Sequence, residues 1–241
     1  MALRDKVAAT AMNPPVHTLA SSALQTVYGS LMHHRAELAA LGDAVNEPPY
    51  NSPPNAPVLY IKPANTFCAF GQTMCLPATQ LQVLARTCVG LIYQPNRLVD
   101  GINTAQGAIK NIVLQDWQYA LLCDFTLPHS SFYRPPLRYN ALDGSLAVPQ
   151  SWLAWPVDGL RDERIETWVN GHLAHSYQTA DWLLSAQDQL QAVSEFIAWE
   201  AGDVLMLGCP PDAPRVKAGD VVETRMNGHI YTRTTIMQEA A

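Results

Sequence analysis

The sequence predicts a mostly β fold with a few helices, an α+β arrangement in which strands form the body. Three observations carry that expectation. Residues 164–177 and 223–232 each place Asn-Gly between strand-like runs, the pattern of a two-residue type I′ hairpin. Residues 81–93 (LQVLARTCVGLIY) and 119–125 (YALLCDF) are apolar runs rich in residues that favour strands, although pattern alone leaves a helix open for the first. Only residues 185–199 show a clear helical period, with Leu190, Val193, Phe196 and Ile197 on one stripe, Ser185 and Asp188 as a capping box and Gly202 just past the end.

In chain order, residues 1–24 read as a lead-in and 25–241 as a single domain. Residues 26–31 (TVYGSL) read as a first strand. His33-His34-Arg35 and a short helical run over 36–41 follow, stopped at Gly42. Residues 46–57 (NEPPYNSPPNAP) form a proline-rich loop, long enough to suggest a lid or an interface. Residues 58–61 are expected to be a short buried strand, ended by Lys62-Pro63. After 66–70 and a Gly71-Gln72 turn comes the 81–93 strand. Residues 106–116 are expected to be a short helix leading into the 119–125 strand. Residues 204–207 are a buried strand running into Gly208-Cys209-Pro210-Pro211.

With 241 residues, 48% of them hydrophobic, the chain can bury one full core. A net charge of -6 with scattered Lys and Arg leaves no basic footprint for nucleic acid or anionic lipid. No apolar run approaches the roughly 20 residues of a membrane span. The first residues lack a continuous apolar core, so a secretory leader is not expected. Five widely spaced cysteines without a C-x-x-C pair argue for reduced thiols in a cytoplasm and against a disulfide frame or zinc site.

The stretch with the most chemistry runs from Asp116 to Gly144. Asp124 interrupts an apolar strand, and a carboxylate there is costly to bury unless it is paired or holds a cation. Its two readings are a metal ligand and a structural acid bonded to backbone amides, and the structural one is preferred. Arg134 and Arg138 follow in a proline-rich loop, where a guanidinium could clamp a carboxylate or pair with acids at a subunit contact. Lys62 at a strand end could touch a substrate or be a solvated cap. His33-His34 with Glu37 one turn on could be an acid/base set, but a polar helix start is preferred because no nucleophile stands beside it. His172 and His175, three apart on a strand, point to opposite faces and do not share a metal. Cys209 is expected to be packing. No phosphate loop, G-x-S-x-G elbow or zinc signature is present.

The order of motifs TVYGSLMHHRAEL, VLYIKPANTF, SFYRPPLRYNALDG and WVNGH…QTADWLLSAQDQLQAVSEFIAWEAGDVLMLGCPP…VKAGDVVE resembles the fumarylacetoacetate hydrolase family, over about Thr26 to Glu223. Within it the likeness is greatest to the amino-terminal half of the bifunctional isomerase/decarboxylases of homoprotocatechuate (4-hydroxyphenylacetate) degradation. The resemblance implies a mixed β-roll, commonly dimeric, with Mg2+ or a similar divalent cation held by an E-x-E pair and one aspartate. It implies small acidic enol or keto substrates, undergoing isomerisation of 2-hydroxyhepta-2,4-dienedioate or decarboxylation of an oxopentene-tricarboxylate. Carried across, Asp124 matches the metal-binding aspartate, and the two glutamates fall near Ala85 and Thr87. Gln80 and Gln82 mimic the spacing slightly too early. The family lysine falls on Asn140, a histidine on Glu37 and a threonine on Cys209, while Lys62 and Arg134 are kept. The resemblance therefore implies Asp124 as a lone surviving metal position, with Lys62, Arg134, Arg138 and Asn140 as substrate contacts and no assigned catalytic residue. It implies either an isomerase/decarboxylase subunit with a degraded metal site, or a non-catalytic partner in a homodimer or a heteromer with a glutamate-bearing paralogue.

Overall fold

The computed structural model describes residues 16–18, 23–95, 112–129, 137–156 and 159–240. Two mixed sheets make up the body. The large one uses β1 (Val16–Thr18), β2 (Val27–Leu31), β3 (Val58–Lys62), β4 (Phe67–Cys68), β6 (Val83–Tyr93), β7 (Trp117–Thr126), β8 (Leu146–Ala147), β9 (Ser151–Ala154), β12 (Val204–Met206) and β13 (Arg215–Val216). Its main path runs β1-β9-β7-β6-β12-β2-β3, with β13 beside β6 and β8 beside β7. The smaller sheet takes β5 (Thr73–Leu76), β10 (Arg164–Val169), β11 (His172–Gln178), β14 (Val221–Met226) and β15 (His229–Gln238), in the order β11-β10-β14-β15-β5. Most neighbours are antiparallel; β12–β2, β15–β5 and β4–β8 are parallel. Among the described residues three α-helices accompany them: α1 (Arg35–Leu41), α2 (Leu137–Asn140) and α3 (Ala186–Ser194). The mostly β expectation holds, and β1 draws part of the stretch set aside as a lead-in into the large sheet.

The two long apolar runs form the central pair, β6 against β7. Both faces of this pair are covered, which is why the runs are continuous and do not alternate. On one face Val83, Ala85, Cys123 and Phe125 pack with Met74, Leu76, Val216, Val222 and Ile236. The opposite face looks into the curl of the large sheet. That curl can be read from distance. From β3 to β7 is four strand steps, about 19 Å in a flat sheet. Yet the Tyr60 hydroxyl on β3 donates to Asp124 Oδ2 on β7 at 2.5 Å. The sheet is therefore rolled, and side chains from its distant strands meet inside it.

Gly29 on β2 permits one of those crossings. A Cβ there would lie 2.2 Å from the ring of Tyr60, so the position must be bare for the ring to pass over β2 toward Asp124. Both Asn-Gly hairpins form as expected, with φ of 52° and 78° at Asn170 and Gly171 and 51° and 77° at Asn227 and Gly228. Positive φ at both central residues defines the type I′ turn, whose twist matches that of the flanking strands.

Three local expectations need correction. Strand β3 is half-buried and not buried, with Ile61 53% exposed, because it lies at the end of the sheet path. Helix α3 stops at Ser194 and does not reach Trp199. The Trp199 indole donates to the Ser194 hydroxyl at 2.7 Å and its ring packs edge-on against Trp117. Residues five apart on a helix lie on different faces, so that contact requires the chain to turn back. Phe196 consequently leaves the apolar stripe and is exposed. Finally, Leu114–Asp116 form a single 3-10 turn, and the rest of the expected helix before it, residues 106–111, lies outside the described residues.

Candidate functional site

Asp124 lies at the centre of the rolled sheet and is almost fully buried. Its Oδ1 accepts from Lys62 Nζ at 2.8 Å and its Oδ2 from the Tyr60 hydroxyl. Tyr60 and Lys62 are two apart on β3 and so project to the same side. The Lys62 ammonium also donates to the backbone carbonyl of Asn140 and, at 2.8 Å, to Ser145 Oγ. All three of its N–H bonds are thus used, and its side chain has no exposed surface. Lys62 is buried, so it is not a solvated cap, and it serves as the counter-ion of Asp124. The partners of the Asp124 carboxylate are side chains, where the sequence reading expected backbone amides.

A second buried ion pair adjoins the first. Arg86 on β6 stands directly across the ladder from Asp124. Its Nη2 donates to Glu37 Oε1 at 2.9 Å and its Nε to Cys209 Sγ at 3.2 Å. Glu37 Oε2 accepts from the backbone N–H groups of His33, at 3.0 Å, and His34, at 3.3 Å. Burial pushes the Glu37 carboxyl above its ordinary range, and the guanidinium with the two amides works against that push. Burial disfavours the charge on Arg86, but Cys209 and Glu37 outweigh it and hold the group protonated. Burial, then Asp124, push the Tyr60 hydroxyl well above its ordinary value, so it stays a donor.

The histidines serve the helix start. His34 caps α1, accepting from Ala36 N at 3.2 Å through Nδ1, and Glu37 completes the capping box. His33 Nε2 lies 3.2 Å from the Leu184 carbonyl, and burial lowers its pKa to about 4. His175 lies 3.1 Å from Asp212, and His172 is exposed, so these two do not form a pair.

The remaining candidates separate. Asn140 is buried and meets Lys62 through its carbonyl. Arg138 is exposed, its guanidinium 5.8 Å from the Tyr139 ring, and does not join the Asp124 group. Arg134 lies outside the described residues. Ala85 and Thr87 face away from Asp124: Ala85 is in the core between the sheets, and Thr87 Oγ1 lies 2.5 Å from Thr167 Oγ1 on the smaller sheet. The alternation of a strand puts Leu84, Arg86 and Cys88 on the Asp124 side, so an E-x-E pair facing this acid would occupy that set and not the positions inferred above. Gln80 and Gln82 lie before β6.

This donor set does not suit a divalent cation. Hard ions take six or more oxygen ligands, several of them carboxylate. Both oxygens of Asp124 hold protein donors, and its cross-strand neighbour is the cationic Arg86 and not a carboxylate. Among the described residues, no group of three or more His, Cys, Asp or Glu could hold a metal. A separate cleft of about 700 Å³, lined by Trp155, Leu160, Arg161, Trp182 and Ser185 among others, opens beside the start of α3 and includes none of these charged residues.

Sequence reasoning missed Arg86, Tyr60 and Ser145. Arg86 had a visible signal: it is the lone charge in its apolar strand, as Asp124 is in the neighbouring one. The argument that singled out the acid applies equally to the base.

Residues 26–237 match the family model "Fumarylacetoacetate (FAA) hydrolase C-terminal". The chain is 33% identical over 203 residues to a 4-hydroxyphenylacetate degradation bifunctional isomerase/decarboxylase of Salmonella dublin, covering 84% of this chain and 45% of that protein. An Escherichia coli protein of the same description is 32% identical over 214 residues, covering 89% and 47%. The chain thus spans about half the length of these relatives. Among solved structures, fumarylpyruvate hydrolase from Pseudomonas aeruginosa, in complex with Mn2+ and pyruvate, superposes with a TM-score of 0.67 at 18% identity, over 98% of this chain and all of that one. The chain belongs to the fumarylacetoacetate hydrolase family.

Proposed function

We propose that this chain is the supporting half of an isomerase/decarboxylase assembly of aromatic, 4-hydroxyphenylacetate-type catabolism. In this reading it stabilises a glutamate-bearing half that carries the metal chemistry on small acidic enol or keto compounds. The supporting observation is that Asp124 is saturated by Lys62 and Tyr60, with Arg86 opposite. A metal-polarised enolate needs an open cation with free coordination positions, and this centre offers a cation neither ligands nor room. The relatives' description as bifunctional, at about twice this length, agrees with a division between two halves. Among the described residues, the exposed Arg138 is then left to meet a substrate carboxylate at the margin of the partner's site.

The test pairs the purified chain with a glutamate-bearing paralogue. Gel filtration of the mixture should give a heteromer. Decarboxylation of the oxopentene-tricarboxylate and isomerisation of 2-hydroxyhepta-2,4-dienedioate should depend on the paralogue's glutamates. Turnover by this chain alone with Mg2+, abolished by Asp124→Asn, would establish the enzyme reading in its place.

A further inference from the structure

We infer that Lys62 and Arg86 together take the place of a divalent cation: as fixed side-chain charges they make the Asp124 centre electrically complete without metal. The inference deepens the reading of this centre as closed and rests on it. Four charged groups are gathered in the curl of the sheet. Asp124 and Glu37 bring two negative charges, and Lys62 and Arg86 bring two positive ones, the charge a single Mg2+ or Mn2+ would supply. Their side chains range from 0% to 8% exposed, so the four are desolvated together and each must be compensated within the protein. The saturation of Asp124 described above leaves no position free. Glu37 is held from the other side by two backbone amides, which keeps its second oxygen on Arg86.

The geometry also locates the replacement. Arg86 and Asp124 are direct cross-strand partners on one face, about 5 Å apart at Cα. The Arg86 guanidinium turns to Glu37 and Cys209, so it compensates the carboxylate that Lys62 does not reach. Replacing both cations, in Arg86→Glu with Lys62→Met, would leave the carboxylates of this centre uncompensated and oxygen-rich, the setting a hard cation requires. Removing the two fixed cations should thus convert a metal-indifferent centre into a metal site.

The experiment is calorimetric titration of the whole chain with MnCl2, for wild type, Arg86→Met, the double variant Lys62→Met with Arg86→Glu, and that double variant with Asp124→Asn added. Wild type and Arg86→Met should give no saturable heat up to about millimolar Mn2+. The double variant should bind at least about tenfold tighter than that limit, and the added Asp124→Asn should remove the binding. Saturable wild-type binding that is lost in Asp124→Asn overturns the inference. So does a folded double variant that binds nothing. If the double variant does not fold, Lys62→Ala replaces it. Removal of the ammonium should make thermal stability rise with millimolar Mn2+ or ethylammonium, where wild type is unmoved. A Lys62→Ala protein indifferent to both cations overturns the inference as well. None of these readouts uses activity or a partner, so failure of the assembly reading leaves their outcome separate.

Discussion

The hairpins of the smaller sheet and the charged centre of the larger one use the same residue types under opposite conditions. In the β14–β15 hairpin, Glu223 pairs with Arg225 two residues away and with Arg233 at 3.5 Å, and Arg233 is 56% exposed. Arg225 also lies over the Trp168 ring at 4.2 Å. These contacts are local and open to water on the arginine side, although Glu223 itself is buried; pairs that water reaches contribute about 0–1 kcal/mol. In the centre, the partners are 62 residues apart for Lys62 and Asp124 and 49 apart for Arg86 and Glu37, and the surroundings are dry. There the gain from pairing is offset by desolvation, but the loss of one partner leaves a bare charge in the core. The comparison teaches that an ion pair's importance is set by what surrounds it when it is broken.

The strongest way to break this contrast is Asp124→Ala. It strands the Lys62 ammonium and should lower stability by about 3–5 kcal/mol in urea unfolding. Lys62→Met combined with Asp124→Leu should recover most of that loss, since an apolar pair leaves nothing uncompensated. A single-variant cost within the range of an exposed pair would erase the distinction.

Next in size is a pH effect beside the centre. His33 is held neutral by burial, with its folded pKa lowered to about 4 against an ordinary 6.5. A lowered folded pKa gives stability that is complete above about 6.5 and is lost as pH falls through about 4, amounting to about 3 kcal/mol. His34, also lowered by burial, acts in the same direction. Glu37, raised by burial, has the opposite sign: its contribution is largest at low pH and is lost as pH rises through its folded pKa. The difference between wild type and His33→Gln across pH 7 to 4 isolates the His33 share, and the variant's curve should be flatter.

Gly29→Ala should cost about 1–3 kcal/mol, because its Cβ meets the Tyr60 ring and the crossing to Asp124 must shift. Shortening the obstacle with Tyr60→Ala should remove most of that increment in a double-mutant cycle. An unchanged increment would place the strain elsewhere. The smallest effect belongs to the hairpin: Gly228→Ala, at φ 77°, should cost about 1 kcal/mol through backbone strain alone. That loss should leave the pH dependence of stability untouched.

Legibility in the sequence follows the same division. Asn170-Gly171 and Asn227-Gly228 announced their turns because a type I′ turn needs positive φ at two adjacent residues, a demand met locally. Ser185 announced the start of α3 for a similar reason, but the helix end depended on Trp199 reaching back to Ser194, and periodicity carried the prediction too far. At the site, Asp124 stood out as a charge in an apolar strand. Which residues of 81–93 share a face with Asp124 is not legible, because a strand's two faces alternate and only the β6–β7 register puts Arg86 there and turns Ala85 and Thr87 away.

By itself, then, the sequence determined the mostly β class, both hairpins, the central apolar strands and, through motif order, the family. Each rests on neighbours in the chain or on composition, where short-range sterics and periodicity decide. Only the tertiary structure decided that Lys62 and Tyr60 belong to Asp124 and that Arg86 belongs to Glu37. Those partners come from different strands and from helix α1, and only the roll of the sheet brings them within hydrogen-bonding distance. Desolvation then makes the pairing obligatory, because a charge carried into that interior must find its opposite there.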